Sequence, residues 1–518
     1  MDTDVIIVGA GPTGLMLACE LALAGVRTRI IERRTAPHPH SRALTLHPRS
    51  VEILDLRGLA PRFLAHGRPV PGWHYAALPT PLDFAALDTR HGYTLAIPQT
   101  RTEALLEERA RELGVRISRG LRLSALTQDA DGVTCTVRTV DGRCGEEARG
   151  DDDDDGGQAD RAALRARYLV GCDGGRSPVR EAAGIAFPGS DETLTGVLGD
   201  FAGLEADPDA LRRLRAAGGL AVPLEGGLTR IVLIDPERMR TSSAEPVTTD
   251  EFRACLNRLC GSDLGIGEPL WSSRFGNATR LAERYRAGRV LIAGDAAHIH
   301  FPAGGQGLNT GLQDAFNLGW KLAADLGGWA PPGLLDSYDA ERRPVGRAVT
   351  DNTAVQTLLA ELTLVPPYAA PAVALRALLD ELLGLPEVNR LLAGRVSALA
   401  TRYPLDGDAP AGRRLPDIAL TVAGSSARRA HELFHQGQFV LLDLTGRPSG
   451  GGPDAPAHPR LTRATVTAHD PHEDLDGVTE LLVRPDGHIA WATRTADPRP
   501  RAAERAAALA AAIDTGRG

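Results

Sequence analysis

The chain has 518 residues, which at ordinary domain sizes is enough for about three domains, each with its own core. Its 58 basic and 66 acidic side chains give a net charge of −8, which argues against a nucleic-acid partner. The sequence has no run of about 18 apolar residues, no signal-peptide pattern and no CxxC pair, so we expect a cytoplasmic protein with reduced thiols and without a membrane span or zinc site.

The chain begins with the pattern of a strand, a helix and a second strand. The apolar run VIIV (5–8) predicts a buried parallel strand, and GAGPTG (9–14) follows it directly. LMLACELALAG has helical periodicity, and a second strand, TRII (28–31), ends in Glu32. This order of strand, glycines, helix, strand and acid predicts a dinucleotide-binding unit.

Each residue of this unit has its own expected role. Gly9 permits the tight turn, Gly11 lets the backbone approach a pyrophosphate, and Gly14 lets the helix pack on the strand. The helix N-terminus presents unpaired N–H groups and its positive dipole end to the phosphates. Glu32 would accept hydrogen bonds from an adenosine ribose, which favours FAD or NAD over NADP. Arg33 weakens that preference slightly, and a solvent-facing arginine is an equally good interpretation of it.

Two later strands end in an aspartate. YLVGCDGG (168–175) runs into Asp173, and GRVLIAGDAAH (288–298) runs into Asp295. Ligands of open parallel sheets bind at the carboxyl ends of the strands, so both acids are candidate ligand contacts. For Asp173 a simple turn is an equally good interpretation.

A glycine-rich loop, PAGGQG (302–307), follows Asp295 and precedes a second helix-periodic stretch. Its glycines would let the backbone lie flat against an isoalloxazine ring, where a side chain would collide. The helix N-terminus would hold the negative charge that gathers at the pyrimidine edge of reduced flavin. The loop therefore predicts FAD rather than NAD, with Asp295 on a ribityl hydroxyl.

The two histidines beside this loop, His298 and His300, do not make a metal site by themselves. Two ligands at this spacing without a cysteine or acid cluster are insufficient, so we expect packing or hydrogen bonding, with a substrate contact as the alternative. The acidic run at 151–155 predicts a solvated, disordered hairpin loop.

Together these motifs resemble those of the single-component FAD-dependent aromatic hydroxylases with the p-hydroxybenzoate hydroxylase fold. The resemblance rests on GAGPTG with Glu32, on YLVGCDGG and on GRVLIAGDAAHIHFPAGGQGLNTGLQDAFNLGWKLA. It extends over essentially the whole chain. Within the family, the chain is most similar to actinobacterial aromatic polyketide hydroxylases and to rifampicin monooxygenases.

The resemblance implies further FAD contacts. Thr13 would bind the pyrophosphate, Arg42 would lie near the ribityl–pyrophosphate region, and Leu123 would contribute backbone to the adenine. Gln99 would contact FAD, although a surface amide is its alternative, and Asp173 would serve both FAD and NADPH. The complete set of expected FAD-binding residues is Gly9, Gly11, Thr13, Gly14, Glu32, Arg33, Arg42, Gln99, Leu123, Asp173, Asp295, Pro302, Gly305, Gly307, Leu308 and Asn309.

The implied activity is hydroxylation of a multicyclic aromatic polyketide of the tetracycline, anthracycline or angucycline type, in antibiotic biosynthesis. NADPH would reduce FAD, and O2 would react through a C4a-hydroperoxyflavin, so no catalytic side chain is expected. Alternatives on the same scaffold are inactivation of an antibiotic such as a rifamycin, and Baeyer–Villiger oxygenation. An NAD-dependent dehydrogenase and a protein that sequesters an aromatic drug are the competing classes.

The implied fold is α/β, with a Rossmann-like FAD-binding domain, an inserted antiparallel-sheet substrate domain and a C-terminal thioredoxin-like domain. The expected boundaries are 1–75, 99–180 and 272–350 for the FAD-binding domain, 76–98 and 181–271 for the substrate domain, 351–411 for a helical linker and 412–518 for the C-terminal domain. No cysteine lies beyond Cys260, so that last domain cannot be a dithiol catalyst, and we expect it to serve packing or oligomerisation in a monomer or homodimer.

Local patterns add three expectations to these domains. LAVPLEGGLTRIVLID (220–235) predicts a hairpin, and a long helix is predicted after the ERRPVG segment that ends at Gly346. Trp73, Tyr93 and Phe201 are candidate substrate contacts, for which ordinary core packing is at least as good an interpretation.

Overall fold

The structure, a computed structural model, describes residues 3–140, 161–204, 207–365, 367–405, 407, 409–446 and 458–513. The acidic run predicted to form a hairpin loop, 151–155, lies outside these residues. The strands in chain order are β1 (Val5–Val8), β2 (Thr28–Glu32), β3 (Thr45–Leu46), β4 (Arg68–Val70), β5 (Thr94–Ala96), β6 (Arg116–Arg119), β7 (Leu121–Gln128), β8 (Val133–Thr139), β9 (Arg161–Ala166), β10 (Tyr168–Gly171), β11 (Gly189–Ser190), β12 (Thr195–Ala202), β13 (Leu220–Pro223), β14 (Leu228–Leu233), β15 (Trp271–Gly276), β16 (Thr279–Leu281), β17 (Arg286–Ala287), β18 (Val290–Ile292), β19 (His298–Ile299), β20 (Leu420–Val422), β21 (Phe439–Asp443), β22 (Leu461–His469), β23 (Glu480–Val483) and β24 (Ile489–Thr493).

The helices of the described residues range from single turns to one of 28 residues. They are α1 (Pro12–Leu23), α2 (Pro48–Asp55), α3 (Ala60–Leu64), α4 (Gln99–Glu112), α5 (Pro178–Ala182), α6 (Pro208–Ala216), α7 (Thr249–Cys260), α8 (Gln306–Leu326), α9 (Ser337–Leu364), α10 (Ala369–Leu383), α11 (Pro386–Val396) and α12 (Pro498–Ala512). None of them is long and apolar enough to cross a membrane.

A six-stranded sheet in the order β17-β18-β10-β1-β2-β6 forms the centre of the nucleotide-binding part. Strands β18, β10, β1, β2 and β6 are parallel, and β17 pairs antiparallel at the edge. All four residues of β1 are buried, as is typical of a parallel strand covered on both faces. The predicted unit of strand, glycine loop, helix and second strand is confirmed by β1, α1 and β2.

Helices α1 and α8 pack closely in the same direction, because glycines remove side chains from their interface. A Cβ at Gly311 would lie 2.3 Å from Thr13 Oγ1, and a Cβ at Gly319 would lie 2.5 Å from Glu20 Cβ. The two contacts run in the same order along both helices, so the helices are parallel. Their N-termini therefore lie at the same end of the sheet.

A second, antiparallel sheet has the order β13-β14-β12-β15. The predicted hairpin is confirmed by β13 and β14, whose connection contains Gly226 and Gly227 at φ of 71° and 73°, a conformation that favours glycine. Phe201 and Phe252 fill a separate core beneath this sheet, with ring centroids 5.0 Å apart. Phe201 is therefore a core residue.

Two small sheets connect segments that the predicted boundaries assign to different domains. Strand β5 pairs with β3 and β4, and β16 pairs with both β11 and β19. The division of the chain into FAD-binding and substrate domains stays a prediction.

The C-terminal part contains a five-stranded sheet in the order β20-β22-β21-β23-β24. Only β21 and β22 pair in parallel, and β23 and β24 form the hairpin predicted from ELLVRPDGHIAW. Helix α12 contributes Leu509 to a core shared with Trp320 of α8 and Phe439 of β21. The thioredoxin-like assignment of this part stays a prediction.

The long helix α9 begins earlier than predicted. It starts at Ser337 rather than after ERRPVG, and Pro344 lies inside it. The prediction was wrong because it treated the proline as a helix boundary. Buried ion pairs hold the preceding turn in the helix instead, since Arg342 Nε lies 2.7 Å from Asp314 Oδ1 and Glu341 pairs with Arg484.

Candidate active site

One large cavity lies at the carboxyl ends of four parallel strands. It is bordered by the residues that end or follow β1, β2, β10 and β18, and it continues to the antiparallel sheet. Its volume is about 3840 Å³. Pockets for a single drug-sized ligand measure about 300–1,000 Å³, so this cavity has room for a dinucleotide together with a second molecule.

The first glycine loop has two glycines that packing requires and one that faces open space. A Cβ at Gly9 (φ 107°) would lie 2.3 Å from the carbonyl oxygen of Cys172, and a Cβ at Gly14 would lie 2.1 Å from the Gly9 oxygen. Around the Cβ position of Gly11, by contrast, no atom of the described residues lies within 4 Å. Backbone at Gly11 can therefore be approached closely by a ligand at the α1 N-terminus.

Glu32 is held against this loop by main-chain donors. The N–H of Ala10 donates to Glu32 Oε2 at 2.8 Å, and the N–H of Arg34 donates to Oε1 at 2.9 Å. Each carboxylate oxygen keeps a further lone pair, and the residue borders the cavity. The fixed carboxylate can accept hydroxyl groups of a ribose.

The second glycine loop turns sharply before α8. Gly304 and Gly305 have φ of 68° and 66°, and Gly305 is the residue immediately before the helix. Asn309 fixes this turn, since its Nδ2 donates to the Gly305 oxygen (2.9 Å) and its Oδ1 accepts from the N–H of His47 (2.7 Å). The free N–H groups of the first helical turn and the positive dipole end border the cavity at Gly307.

Asp295 and His300 lie on either side of Gly307. Asp295 is exposed to the cavity, and its Oδ1 is 4.0 Å from the Cβ position of Gly307. His300 Nε2 is 3.6 Å from the same position and is buried with no partner among the described residues, whereas its Nδ1 contacts the Phe301 oxygen at 2.8 Å. Burial lowers the pKa of His300, so a neutral imidazole faces the cavity at pH 7.

His298, in contrast, belongs to a buried network behind the loop. Its Nε2 lies 2.7 Å from Asp314 Oδ2, which also accepts from the N–H of Gly294 at 3.1 Å. Arg342 neutralises the other oxygen of Asp314. The hydrogen-bonding interpretation of His298 is confirmed, and its role is to support the turn that follows β18.

Asp173 presents an unpaired oxygen at the cavity. Its Oδ2 accepts from the N–H of Val179 at 3.1 Å, while Oδ1 is buried with no partner in the described residues. Burial raises the pKa of Asp173 above its ordinary value. A buried acceptor without a donor is rare in folded proteins, and a ligand hydroxyl or N–H would satisfy it.

The expected contacts fall into two groups in the structure. Those that border the cavity are Gly9, Gly11, Thr13, Glu32, Arg33, Arg42, Gln99, Leu123, Asp173, Asp295, Pro302, Gly305, Gly307 and Leu308. Gly14 and Asn309 are instead packed behind the two glycine loops. Of the candidate aromatic contacts, Trp73 borders the cavity, whereas Tyr93 and Phe201 do not.

The hydrogen-bonding groups of the site and its shape both fit FAD. An open glycine backbone at a helix N-terminus suits the pyrophosphate, and a fixed carboxylate suits the adenosine ribose. A second helix N-terminus, bare of side chains at Gly305 and Gly307, suits a flat ring that becomes negative on reduction. NAD has no isoalloxazine ring, so NAD binding would not account for this second glycine loop and helix N-terminus.

Comparison with protein families identifies the chain. A family model described as FAD binding domain matches residues 2–353, and a model described as aromatic-ring hydroxylase, C-terminal matches residues 408–515. The chain belongs to the FAD-dependent aromatic-ring hydroxylases.

Curated relatives and a solved structure agree with this assignment. The hydroxylase is 45% identical over 504 residues, 95% of each chain, to a 12-dehydrotetracycline 5-monooxygenase/anhydrotetracycline 6-monooxygenase from Streptomyces rimosus subsp. rimosus. It is 45% identical over 496 residues, 94% of this chain and 95% of the other, to a rifampicin monooxygenase from Streptomyces venezuelae. The structure of the OxyS anhydrotetracycline hydroxylase from Streptomyces rimosus matches with a TM-score of 0.83 at 42% identity, over 99% of both chains. The hydroxylase is thus a FAD-dependent monooxygenase.

Sequence reasoning missed a buried ion pair that joins the antiparallel sheet to the FAD side of the hydroxylase. Arg230 of β14 pairs through both its Nε and Nη2 with Asp200 of β12, at 2.7 and 2.8 Å. The same guanidinium donates to the main-chain oxygens of Ser41 and Arg42, at 2.6 and 2.9 Å. The sequence contains no local motif from which this ion pair could be predicted, because its partners are far apart in the sequence. It fixes the backbone on which Arg42 borders the cavity.

Proposed function

We propose that this hydroxylase uses NADPH and O2 to hydroxylate a multicyclic aromatic polyketide. The observation that carries the proposal is the continuity of one cavity from the expected FAD contacts to the antiparallel sheet. Besides the second glycine loop, its wall includes the apolar side chains of Trp73, Val222, Trp271, Phe275 and Phe301. Such a wall suits a large, flat, largely apolar molecule.

The residues of the chain then have separate tasks. FAD, when bound, supplies the redox chemistry that activates O2 for oxygen transfer. The N–H groups at the start of α8 stabilise negative charge on the ring, and Asp295 binds a ribityl hydroxyl. Glu32 fixes the adenosine end, and the neutral imidazole of His300 lies at the cavity wall without adding charge. We assign no nucleophile or general base to the protein.

For NADPH we propose a transient docking site near Arg42 and Asp173. The sequence has a single GxGxxG motif, which the FAD pyrophosphate uses in this proposal, so NADPH has no such loop of its own. Arg176 borders the same part of the cavity and is exposed, which makes a phosphate contact geometrically accessible.

A rifamycin-type antibiotic is the second candidate substrate. The chain is as similar to the rifampicin monooxygenase as to the tetracycline enzyme, at 45% identity to each. Baeyer–Villiger oxygenation of a ring ketone is the alternative outcome on the same scaffold. We also propose the domain division and thioredoxin-like C-terminal domain predicted from the sequence, and a cytoplasmic location, which the unpaired cysteines of the described residues support.

The test is NADPH consumption by the purified, flavin-loaded enzyme with a panel of tetracyclic, angucyclic and ansamycin phenols, followed by mass spectrometry of the products. A polyketide phenol should stimulate NADPH oxidation and gain one oxygen atom. Stimulation only by ansamycins would transfer the assignment to the second candidate. NADPH oxidation that no aromatic compound stimulates would contradict the proposal.

A further inference from the structure

Beside Gly304 and Gly305, three buried polar atoms border the cavity without a partner in the described residues. They are Trp73 Nε1, His74 Nδ1 and Gln356 Nε2. Buried side-chain donors and acceptors nearly always have partners in folded proteins. Three unpaired atoms in one wall therefore indicate a ligand that supplies the missing partners.

The three side chains surround the same turn. The rings of Trp73 and His74 are adjacent, with centroids 5.1 Å apart. Trp73 Nε1 lies 3.9 Å from the Cβ position of Gly305, and Gln356 Nε2 lies 3.7 Å from that of Gly304. A molecule beside the bare backbone of the two glycines would therefore meet these groups together.

The hydrogen-bonding character of each group is defined. The N–H of Ala76 donates to Gln356 Oε1 at 3.0 Å, which fixes the amide so that Nε2 is the free donor. The indole N–H of Trp73 can only donate. Burial lowers the pKa of His74 to about 4, so its imidazole is neutral at pH 7 and offers one donor and one acceptor.

The loop that carries Trp73 and His74 is held rigidly by α9 and α10. Arg376 of α10 donates to the main-chain oxygens of Ala76 and Ala77, at 3.0 and 3.2 Å. Both alanines have positive φ, 49° and 51°, a conformation that L residues rarely adopt. Backbone strain of this kind persists where the surroundings over-determine it, commonly at ligand sites.

We propose that Trp73, His74 and Gln356 form a subsite for the oxygen substituents of the substrate ring system. Trp73 and Gln356 donate to a carbonyl or phenolic oxygen, and His74 pairs with a hydroxyl group. This inference rests on the proposed function and narrows it to ring systems that carry at least one keto or phenolic oxygen at the edge facing the second glycine loop. The charge of Arg376 is directed to the main chain, so the subsite does not require an anionic substrate.

The test compares two probes on the flavin-loaded enzyme without NADPH. One is a dihydroxyanthraquinone, and the other is a water-soluble anthracene that lacks ring oxygens. Binding is followed through the change in flavin absorbance. The variants are Trp73→Phe, His74→Phe and Gln356→Met, which keep most of the side-chain volume. Each variant should bind the quinone roughly 3- to 10-fold more weakly than the wild type, since each loses one hydrogen bond. Affinity for the anthracene should change less than twofold.

Gln128→Met is the matched control, because Gln128 is exposed, bonds Ala287 and Arg289 and does not border the cavity. It should leave both affinities unchanged. If all three subsite variants bind the quinone as the wild type does, water serves these atoms and the inference is overturned. Failure of the proposed function would instead show as absent flavin or as a wild type in which no aromatic compound stimulates NADPH oxidation.

Discussion

At the scale of single residues, the glycines of the site divide by what surrounds them. Gly9, Gly14 and Gly311 are needed for close packing, since an added Cβ would lie 2.1–2.3 Å from a neighbouring oxygen. For Gly11 and Gly307, no atom of the part of the chain that the structure describes lies nearer than 3.6 Å to the Cβ position, and both border the cavity. The first kind shapes the loops, and the second kind leaves backbone open to a ligand.

Asp295→Ala tests the ribityl contact directly. Loss of a charged acceptor should weaken FAD binding by about 1.5–3 kcal/mol, or roughly 10- to 150-fold in Kd. Titration of the apoprotein with FAD measures this. Glu283→Ala, an exposed acid outside the cavity, is the control and should bind FAD normally. Unchanged FAD affinity of Asp295→Ala would show that the carboxylate makes no such contact.

Glu32→Ala should weaken FAD retention without changing the position of oxygenation. The substitution removes the acceptor of two main-chain N–H groups and of the expected ribose, all at the end of FAD remote from the reacting ring. FAD titration and product analysis by mass spectrometry and NMR test both parts. Glu283→Ala, which removes an exposed acid outside the cavity, should leave FAD affinity nearly unchanged. A shifted hydroxylation site in Glu32→Ala would be inconsistent with this account.

At the scale of elements, the start of α8 combines a bare backbone with a rigid support. Thr13 of α1 lies against Gly311, and Asp314 of α8 holds the N–H of Gly294. His298 and Arg342 in turn hold Asp314. The position of the helix N-terminus is therefore set by packing and by buried ion pairs, which no single motif encodes.

Gly307→Val should slow flavin reduction more than His298→Ala does. The branched side chain would displace the ring or the helix start, and loss of one such N–H donor costs about 2.7–4 kcal/mol, or roughly 100- to 1000-fold in rate. Gly267→Val is the matched control and should be reduced at the wild-type rate, because no atom of the described residues lies within 4 Å of its Cβ position and it does not border the cavity.

Stopped-flow reduction by NADPH, with saturating aromatic ligand, measures these rates. His298→Ala, once folded protein is selected, should stay within roughly an order of magnitude of the wild type, because its partner Asp314 keeps Arg342. If the flavin of Gly307→Val is reduced at the normal rate and that of His298→Ala is not, the histidine and not the glycine loop governs flavin reduction.

A buried ion cluster joins the C-terminal sheet to α8 and α9, and it predicts a pH dependence. Glu341 pairs with Arg484 and with Lys321, both at 2.8 Å. Burial alone would raise the pKa of Glu341, but the two cations outweigh it and lower the pKa to about 2. The unfolded chain therefore binds a proton more readily than the folded one, and this stabilisation, complete above about pH 4.5, is lost as the pH falls towards 2.

Glu341→Gln should therefore flatten the dependence of stability on pH in that window. Between about pH 4 and 2.5, the free energy of unfolding of the wild type should fall more steeply, by up to about 1.4 kcal/mol per pH unit. Urea denaturation at several pH values measures it. Glu283→Gln should behave like the wild type, and equal slopes for Glu341→Gln and wild type would refute the lowered pKa.

Elements with strong local signals were predictable, and those set by distant contacts were not. The unit of β1, α1 and β2 and the hairpins β13–β14 and β23–β24 follow from periodicity and turn residues in short windows. The early start of α9 could not be predicted, because ion pairs to Asp314 and Arg484 override Pro344. The unpaired atoms of His74 and Gln356 were equally hidden, since only the folded chain brings them to one wall.

At the scale of the whole molecule, the cavity connects two parts of different architecture, a parallel sheet with its helices and an antiparallel sheet. Two helix N-termini at one end of a parallel sheet border the cavity, and residues of an antiparallel sheet form another part of its wall. The pair of Arg230 and Asp200 ties the two together through the backbone of Ser41 and Arg42. In the proposed function, this one continuous space holds both the flavin and the substrate.

The origin of the oxygen atom tests this account most directly. The holoenzyme is given NADPH, the polyketide phenol that best stimulates NADPH oxidation, and isotopically labelled O2, and the product is analysed by mass spectrometry. The account predicts one labelled oxygen per product molecule and one NADPH consumed for each. A product that carries oxygen from water, or NADPH oxidation that yields only hydrogen peroxide with every phenol, would contradict it.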